Sequence, residues 1–331
     1  MTVVQELSTP ALVVDTDAFE HNLATMAAAL PGERCRPHVK AHKTTALARE
    51  QAACGHRGFT CATPREMEGM VAAGLGDDLL LANEVVDPDR LRRLAALDAR
   101  VTVAVDSEAT IDAAAGAGLR EVVVDVYVGM PRCGCPPDQA GRLAEVARAR
   151  GLTVRGVMGY EGHAVGLADR TTRVEQTEAA MRMLLDAHAA VGGELVSGGG
   201  TGTFDINTWV TEIQAGSYTL MDTAYAHLDL PFRHALSVVA TVISVSDGWA
   251  VADCGLKALG MDHGDPTVVG HTVWYCADEH VTFGPETPVA VGDRVRVLPA
   301  HIDPTVAYHE RMHLAAGEEI VDTWGVDLRG W

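Results

Sequence analysis

The chain has 331 residues, of which 47% are apolar, and this length and composition fit a two-domain folded protein and exclude a disordered or fibrous one. The formal net charge of −19 excludes a basic surface for nucleic acid. No segment reaches transmembrane length, the N-terminal residues lack signal-peptide features, and seven dispersed cysteines are typical of reduced thiols, so we expect a cytoplasmic protein.

The first two thirds of the chain alternate short apolar runs with Ala-rich stretches of helical periodicity. This alternation predicts a parallel sheet covered by helices. Because polar residues cluster where each run ends, we expect a (β/α)8 TIM-type barrel over 11–233, with an open doubly wound sheet as the alternative. The predicted strands are ALVVD (11–15), RPHVK (36–40), FTCAT (59–63), DLLLAN (78–83), VTVAVDS (101–107), EVVVDVYVG (121–129), VRGVMGYEG (154–162), LVSGGG (195–200) and IQAGSYTLMD (213–222).

The remaining segment, 234–331, changes to a period-two alternation that is interrupted by Gly, Asp and Pro at turns. No long helical stretch intervenes. We therefore predict a C-terminal all-β domain, and we assign residues 1–10 to the same domain.

Lys40 ends the predicted strand RPHVK and is followed at once by polar residues. At the mouth of a barrel such a lysine would be partly desolvated, and Arg36 and His38 would place like charge beside it. Both effects lower the pKa of a lysine, as Schiff-base chemistry requires. Lys43 in the same turn is the competing candidate, and a basic loop with solvated lysines is the simpler alternative.

Two glycine-containing segments follow later strands of the predicted barrel. In SGGGTGTFD (197–205) three glycines allow backbone N–H groups to approach an anion, as phosphate binding requires. In IQAGSYTLMD, Gly216 and Ser217 interrupt the strand and offer another N–H and a hydroxyl. Glycines also form tight turns, but in an acidic protein the two segments together predict a phosphate site.

The segment VRVLPAHIDPT places His301 and Asp303 two residues apart after a strand. In an extended chain these side chains point to one face, and Pro304 biases Asp303 towards the extended conformation. One imidazole and one carboxylate could bind a divalent ion with open positions for substrate, and they suit Mn²⁺, Zn²⁺, Mg²⁺ or Co²⁺. As a bare motif H-x-D is common, and two ordinary loop residues are the simpler interpretation.

The run from His309 to His313 spells H-E-x-x-H, the motif of zinc proteases. That motif binds zinc only on a helix, where residues four apart share a face. Here the alternation of Val306, Tyr308 and Glu310 predicts a strand, on which the two histidines lie too far apart for one ion. We therefore reject the protease interpretation.

Five segments, taken in order, resemble the D-threonine aldolase and D-serine dehydratase group of the alanine-racemase-like (fold-type III) enzymes. They are ALVVDTDAFEHNLATM, RPHVKAHKT, GVMGYEGH, SGGGTGTFD and VLPAHIDPTV, and RPHVK-x-HKT is the most specific of them. The resemblance runs from about residue 8 to the C-terminus. It implies a barrel that binds pyridoxal 5′-phosphate (PLP), followed by a β domain with a divalent ion at H-x-D or H-x-C.

The resemblance also implies roles for single residues. It selects Lys40 over Lys43 as the residue that carries PLP as a Schiff base. It places Arg132 at the phenolic oxygen of PLP and Tyr160 beside the pyridine ring, although without it we would interpret Arg132 as a surface residue. The residues implied for the phosphate are Gly200, Thr201, Gly216, Ser217 and Tyr218, and those implied for the metal are His301 and Asp303.

From this resemblance we predict a PLP- and metal-dependent lyase that cleaves small β-hydroxy-D-amino acids to glycine and an aldehyde. The metal would bind the β-hydroxyl, and His163 or a hydroxide held by the metal would be the base, with His280 as a further cavity residue. Asp303 in place of a cysteine favours the aldolase over a D-serine or 3-hydroxy-D-aspartate dehydratase. An amino-acid racemase and a non-catalytic PLP carrier are the remaining alternatives. We expect a homodimer that binds neither nucleic acid nor membranes.

Overall fold

A computed structural model describes residues 2–331 of the chain. The chain separates into two compact units, which we call the barrel unit and the β unit. The barrel unit comprises Met26–Lys40, Ala48–Gly216 and Leu328–Trp331, and the β unit comprises 2–25, Ala41–Leu47 and Ser217–Asp327.

The barrel unit contains seven parallel strands, and their order in the sheet is their order in the chain. The chain first forms strand β1 (Ala11–Asp15) and helices α1 (Thr16–Ala29) and α2 (Thr45–Ala53). The parallel strands are β2 (Gly58–Cys61), β3 (Asp78–Leu81), β4 (Val101–Val105), β5 (Glu121–Asp125), β6 (Thr153–Gly159), β7 (Leu195–Gly198) and β8 (Glu212–Ile213). The helices between them are α3 (Pro64–Ala72), α4 (Pro88–Ala95), α5 (Glu108–Gly116), α6 (Ala140–Ala149) and α7 (Arg170–Val191).

Side-chain caps fix the points at which the barrel helices begin. The hydroxyl of Thr63 accepts a hydrogen bond from the backbone N–H of Glu66, whose carboxylate accepts in return from the N–H of Thr63. Such a capping box satisfies donors that have no partner within the helix, and Pro64 suits the first helical position for the same reason. Other helices of the unit are capped by Asp87, Ser107 and Asp169.

The segment 35–38 lies between the two edge strands of the parallel sheet. Its backbone N–H groups at Arg36 and His38 donate to the carbonyl groups of Ile213 and Ala215, at 2.9 and 3.0 Å. On the other side, the N–H of Thr60 donates to the carbonyl of Pro37 at 2.9 Å. The segment RPHVK is therefore not a regular strand, but it closes the sheet as an eighth strand would.

Apolar side chains and a layer of ion pairs fill the interior of the barrel unit. One buried cluster consists of Leu80, Ala104, Val123 and Met158 from four neighbouring strands. Nearer the beginnings of the strands, the carboxylate of Asp78 accepts from Arg155 at 2.7 Å and from Arg36 at 2.9 Å, and Arg36 also pairs with Glu212 at 2.8 Å. Both guanidinium groups are buried, so these pairs compensate for their lost hydration.

The β unit contains a nine-stranded mixed sheet in which β9 is the central strand. The order β12-β13-β10-β9-β1-β15-β16 describes seven of its strands, and β14 pairs with both β9 and β11. The elements are β9 (Leu236–Ser246), β10 (Trp249–Ala252), β11 (Thr267–Val268), β12 (His271–Cys276), β13 (Val281–Pro285), β14 (Arg294–Leu298), helix α8 (Ile302–Tyr308), β15 (Arg311–Ala316) and β16 (Glu319–Gly325).

The prediction of a TIM-type α/β barrel followed by a C-terminal β domain is confirmed as a fold class, but several local predictions are wrong, and two of them concern the elements that a segment belongs to. The run Ala11–Asp15, which the periodicity placed among the barrel strands, pairs antiparallel with β9 and parallel with β15. The alternation of Val306, Tyr308 and Glu310 predicts a strand, but the first two of these residues lie in helix α8 (Ile302–Tyr308). In both cases a short apolar pattern indicates a buried segment but does not specify the element against which that segment packs.

The longest helix, α7, has 22 residues but carries charged side chains along much of its length. Within residues 2–331, no helix combines the length and the apolar character that crossing a bilayer requires.

The Asp78 carboxylate is expected to stabilise the barrel unit. Burial alone would raise the pKa of Asp78, but hydrogen bonds and charge from Arg155 and Arg36 lower it to about 2. Because this pKa lies below that of an unfolded aspartate, the stabilisation is complete above about pH 4 and is lost as the pH falls towards the folded-state value. We expect Asp78→Asn to lower the free energy of unfolding by about 3–5 kcal/mol at neutral pH, as measured by urea denaturation.

A matched control is Asp89→Asn, which removes an exposed ion pair with Arg92 and should leave the denaturation midpoint unchanged. Equal effects of the two substitutions would contradict a stabilising role for the buried network.

Candidate active site

The functional residues predicted in the barrel unit follow the C-terminal ends of its parallel strands. In TIM-type barrels this end carries the catalytic groups, because the loops that follow the strands converge there. The loop after β5 contains Arg132, the loop after β6 contains Tyr160 and His163, the loop after β7 contains Gly200 and Thr201, and Gly216 follows β8.

Lys40 lies just beyond the closing segment, in a short 3-10 turn at Val39–Ala41. Its backbone N–H donates to Nδ1 of His38 at 3.5 Å, and its side chain is exposed. The prediction that Lys40 is partly desolvated is therefore wrong for this structure. Arg36 adds no charge beside Lys40 either, because its guanidinium pairs with Glu212 inside the barrel. Lys40 is thus an exposed residue at the barrel mouth.

Arg132, Tyr160 and Gly200 form a cationic and aromatic surface at the same end of the barrel. The guanidinium carbon of Arg132 lies 5.4 Å from the centroid of the Tyr160 ring, a cation–π arrangement. A Cβ atom at Gly200 would lie 3.4 Å from Cε2 of Tyr160, so the backbone runs close beside this ring. A permanent cation, an aromatic face and a backbone without a side chain fit a planar anionic ring such as PLP.

Glu161 organises the glycine-rich segment, and the sequence analysis missed it. Its buried carboxylate accepts hydrogen bonds from the N–H of Gly199 at 3.1 Å, the hydroxyl of Thr203 at 2.8 Å and the amide of Asn207 at 3.0 Å. Gly199 has a φ of +78°, and a Cβ there would lie 2.6 Å from Cδ1 of Ile213. The hydrogen bonds to the Glu161 carboxylate therefore fix the turn that contains Gly200 and Thr201.

A second feature that the sequence analysis missed is a hydrogen-bonded pair of carboxyl groups, Glu84 and Asp125. Burial, and then the charge of Glu84, raises the pKa of Asp125 well above its usual value. Glu84 also hydrogen bonds to Cys133, and burial followed by this contact raises the pKa of the Cys133 thiol to about 12. Cys133 is therefore unsuited to act as a nucleophile.

In the β unit, Ser217 begins a 3-10 turn, Ser217–Thr219, which follows β8. The prediction that Ser217 interrupts a strand is therefore wrong. Tyr218 in this turn is buried, and its ring centroid lies 5.6 Å from that of Phe232. The Ser217 side chain hydrogen bonds to Asp222, whose carboxylate also accepts from the N–H of Ile302. Asp222 therefore links the predicted phosphate turn to the H-x-D segment.

His301 and Asp303 lie at the N-terminus of α8, and the extended geometry predicted for both is wrong. Only His301, the residue before the helix, is extended, with φ −138° and ψ 116°. Pro304 is compatible with the first turn because N–H groups there have no partner within the helix. The two side chains still meet, with Nε2 of His301 3.9 Å from Oδ1 of Asp303, a separation that two ligands each about 2.1 Å from one ion can span.

Asp262 and His263 also approach His301, and neither was considered in the sequence analysis. The Asp262 oxygens lie 2.8 and 2.9 Å from Nδ1 of His301, and the His263 ring stacks on the His301 ring at 3.8 Å. Ligand atoms of the three residues lie within 4.8 Å of one another. The adjacent Asp-His pair, which lies in the loop between β10 and β11, was the only signal in the sequence for this approach.

The H-E-x-x-H run does not form a zinc site in this structure, which agrees with its rejection. Helix α8 ends before His309, and His313 lies within β15. Nε2 of His309 lies 2.9 Å from the carbonyl oxygen of Ala258, and Nδ1 of His313 lies 2.9 Å from the hydroxyl of Thr323. The run is therefore divided between a helix end and a strand.

The two remaining histidine candidates are exposed. His163 packs against Gly129, where a Cβ would lie 2.6 Å from Cε1 of the imidazole. His280 lies between β12 and β13 in the β unit. Both imidazoles can exchange protons with solvent, as a general base must.

A cavity of ≈ 940 Å³ lies at the opposite end of the barrel strands and contains none of the predicted site residues. It is lined by residues that precede β3, β4 and β5, among them Asp77, Asp98 and Arg120. Because the catalytic end of a TIM-type barrel is the C-terminal one, size alone does not make this groove the active site.

Family models match most of the chain in two blocks. Residues 14–223 match the alanine racemase, N-terminal domain, and residues 235–315 match a putative serine dehydratase domain. These matches, together with the barrel and its mouth, define the class of PLP enzymes with the alanine-racemase-like fold, fold-type III.

Individual proteins to which the chain is similar indicate which group within this class it resembles. The chain is 33% identical to the 3-hydroxy-D-aspartate aldolase of Paracoccus denitrificans (strain Pd 1222) and 34% identical to the D-threonine aldolase of Arthrobacter sp., in each case over 98% of this chain and 93% of the relative. Among solved structures, the D-threonine aldolase from Filomicrobium marinum superposes with a TM-score of 0.94 at 35% identity, covering 99% of this chain and 97% of that one. The D-threo-3-hydroxyaspartate dehydratase from Delftia sp. HT23 superposes with a TM-score of 0.88 at 27% identity, over the whole of both chains.

The chain belongs to the D-threonine aldolase and D-serine dehydratase group of the alanine-racemase-like family. The predictions of family, of PLP dependence and of a lyase are thereby confirmed.

Glu161 is expected to be needed for cofactor binding because it holds the glycine-rich turn. In Glu161→Gln the side-chain amide cannot accept all three hydrogen bonds, which leaves buried donors unsatisfied. We expect PLP to bind about tenfold more weakly or worse, in line with the loss of one to two buried hydrogen bonds. The measurement is a titration of the cofactor-free protein with PLP, followed by absorbance.

Asp205→Asn is the control, because it removes only the ion pair with Arg170 in the same segment. If Glu161→Gln binds PLP as tightly as this control does, the carboxylate does not shape the cofactor site.

Proposed function

We propose that this chain cleaves β-hydroxy-D-amino acids to glycine and an aldehyde, with PLP and a divalent ion. The observation that carries the proposal is the pairing of His301 with Asp303, a carboxylate, in a chain whose barrel mouth fits PLP. The names of the curated relatives at 33% and 34% identity, both aldolases of hydroxy-D-amino acids, support it.

The residues that would hold PLP are those that the family resemblance implies. Lys40 would provide the covalent linkage, and its position in the turn after the segment that closes the parallel sheet supports this role. Arg132 and Tyr160 would contact the ring, whereas Gly200, Thr201, Gly216, Ser217 and Tyr218 would contact the phosphate. When bound, PLP supplies an electron sink for the electron pair left on Cα when a bond to that carbon breaks.

In the proposed reaction, His163 accepts the proton of the β-hydroxyl. The Cα–Cβ bond then breaks, the carbon that carried the hydroxyl becomes the aldehyde, and a proton taken up from solvent at Cα gives glycine. The exposed imidazole of His163 can afterwards release its proton to solvent. No oxidant or reductant is consumed.

His301 and Asp303 would hold the divalent ion. An ion there supplies positive charge that stabilises a developing alkoxide. One nitrogen and one oxygen ligand are hard enough for Mn²⁺ or Mg²⁺ and also accept Zn²⁺ or Co²⁺.

The choice between an aldolase and a dehydratase depends on what the hydroxyl must do. A dehydratase expels the hydroxyl and needs a strongly Lewis-acidic ion, which a thiolate ligand would select as Zn²⁺. An aldolase keeps the oxygen and needs only a stabilised alkoxide. Asp303 therefore favours the aldolase, whereas the similarity to the dehydratase from Delftia keeps dehydration as the second candidate.

Product analysis tests the proposal. The protein is incubated with PLP and Mn²⁺ and with D-threonine, D-phenylserine, D-3-hydroxyaspartate or D-serine in turn. We expect glycine and the corresponding aldehyde from at least one of the first three substrates, and no turnover after treatment with EDTA.

Formation of a 2-oxo acid and ammonia would show that the dehydratase assignment is correct and the aldolase assignment wrong. Interconversion of D and L enantiomers that persists in EDTA would instead identify a racemase.

A further inference from the structure

The imidazole of His301 lies between two carboxylates. On one side, Oδ2 and Oδ1 of Asp262 lie 2.8 and 2.9 Å from Nδ1. On the other side, Oδ1 of Asp303 lies 3.9 Å from Nε2. The His301 side chain is 18% exposed, so burial on its own does not fix the ring.

A neutral imidazole carries one proton and one lone pair, and its hydrogen bonds decide which nitrogen has which. A carboxylate at Nδ1 can only accept, so it holds the proton on Nδ1 and leaves the lone pair on Nε2. With the proton on Nδ1, the lone pair of Nε2 would lie on the side of Asp303. Carboxylates in this relation to a metal-binding histidine fix the ring and make it a stronger ligand.

Backbone and side-chain contacts hold the Asp262 loop against the H-x-D segment. The N–H of Gly260 donates to the hydroxyl of Thr305 at 2.8 Å, and that hydroxyl donates to the carbonyl of His301 at 2.7 Å. A Cβ at Gly260 would lie 2.2 Å from Cγ of Pro304, so the two segments pack as closely as a glycine permits. These contacts hold the backbone near Asp262 beside His301. The position of the Asp262 carboxylate therefore depends on the fold as well as on the conformation of its side chain.

We infer that Asp262 is a positioning residue that presents Nε2 of His301 to a divalent ion shared with Asp303. This inference rests on the proposed function, because it assumes that His301 binds the metal. It adds that Asp262 determines the tautomer and the direction of the ligand without itself touching the ion.

The competing arrangement uses Asp262, His263 and His301 as three direct ligands. A metal ion bound to an imidazole lies in the plane of the ring, because the nitrogen lone pair lies there. The planes of His263 and His301 are inclined by only 10°, and their centroids are 3.8 Å apart. An ion about 2.0–2.1 Å from one nitrogen and in its ring plane therefore lies well outside the other plane. The stacking thus opposes joint coordination by the two histidines.

The first test observes the tautomer without any metal. The PLP-bound protein is labelled with ¹⁵N-histidine, freed of metal with EDTA, and studied by long-range ¹H–¹⁵N correlation at about pH 8, where ordinary histidines are neutral. His301→Ala assigns the His301 signals by their loss. We expect the Nδ1-protonated form in the wild-type protein and in Asp265→Ala, an exposed acidic residue of the same loop, and the Nε2-protonated form in Asp262→Ala.

The second test measures the affinity of the holoenzyme for Mn²⁺ by isothermal titration calorimetry. We expect Asp262→Ala to weaken binding about 10- to 100-fold, as loss of the hydrogen-bond partner of a metal-binding histidine typically does. Asp262→Asn retains a neutral acceptor and should lose less, whereas Asp303→Ala should lose more. His263→Ala should bind Mn²⁺ as the wild type does, and the PLP absorbance should be the same in all variants.

Unchanged Mn²⁺ affinity or an unchanged tautomer in Asp262→Ala would overturn the positioning role alone. A loss in His263→Ala as large as that in Asp262→Ala would establish three direct ligands instead. If His301→Ala and Asp303→Ala both keep wild-type affinity, the metal site of the proposed function is itself wrong, and the role of Asp262 is excluded with it.

Discussion

The backbone hydrogen bonds of residues 35–38 to two strands at once are the constraint on which the barrel unit depends. They join the segment to β8 through Ile213 and Ala215 and to β2 through Thr60. Without them the parallel sheet would have two open edges, and its interior ion pairs would face water. The same bonds fix the position of Lys40, because Lys40 lies two positions after His38, the last residue of the segment that makes them.

A strongly acidic chain must supply local positive charge wherever an anion is to bind. At the barrel mouth the guanidinium of Arg132 lies over the Tyr160 ring, and burial beside Glu84 raises the pKa of Asp125, which lowers the tendency of that carboxyl group to carry a negative charge. In the β unit the proposed divalent ion would have the same role beside Asp262 and Asp303. Under the proposed function, each unit would combine carboxylates that set geometry with a cation that meets the substrate or cofactor.

The parts of the fold that could be predicted are those that local sequence determines. Alternating strands and helices define the parallel barrel, and a change of period marks the β domain. The sheet to which Ala11–Asp15 belongs could not be predicted, because a strand buried in either sheet has the same apolar run. Glu161 and Asp262 were missed for a related reason: their partners lie 38–46 and 39 positions away, and no local pattern reports such contacts.

The central claim is that Lys40 carries the cofactor, and reductive trapping tests it most directly. Borohydride reduces the linkage between PLP and its lysine to a stable bond, and peptide mapping by mass spectrometry then locates the modified residue. The position of Lys40 at the barrel mouth predicts that the pyridoxyl group is found on Lys40 and is absent in Lys40→Ala. Modification of Lys43 instead, or a protein that binds no PLP at all, would contradict the account.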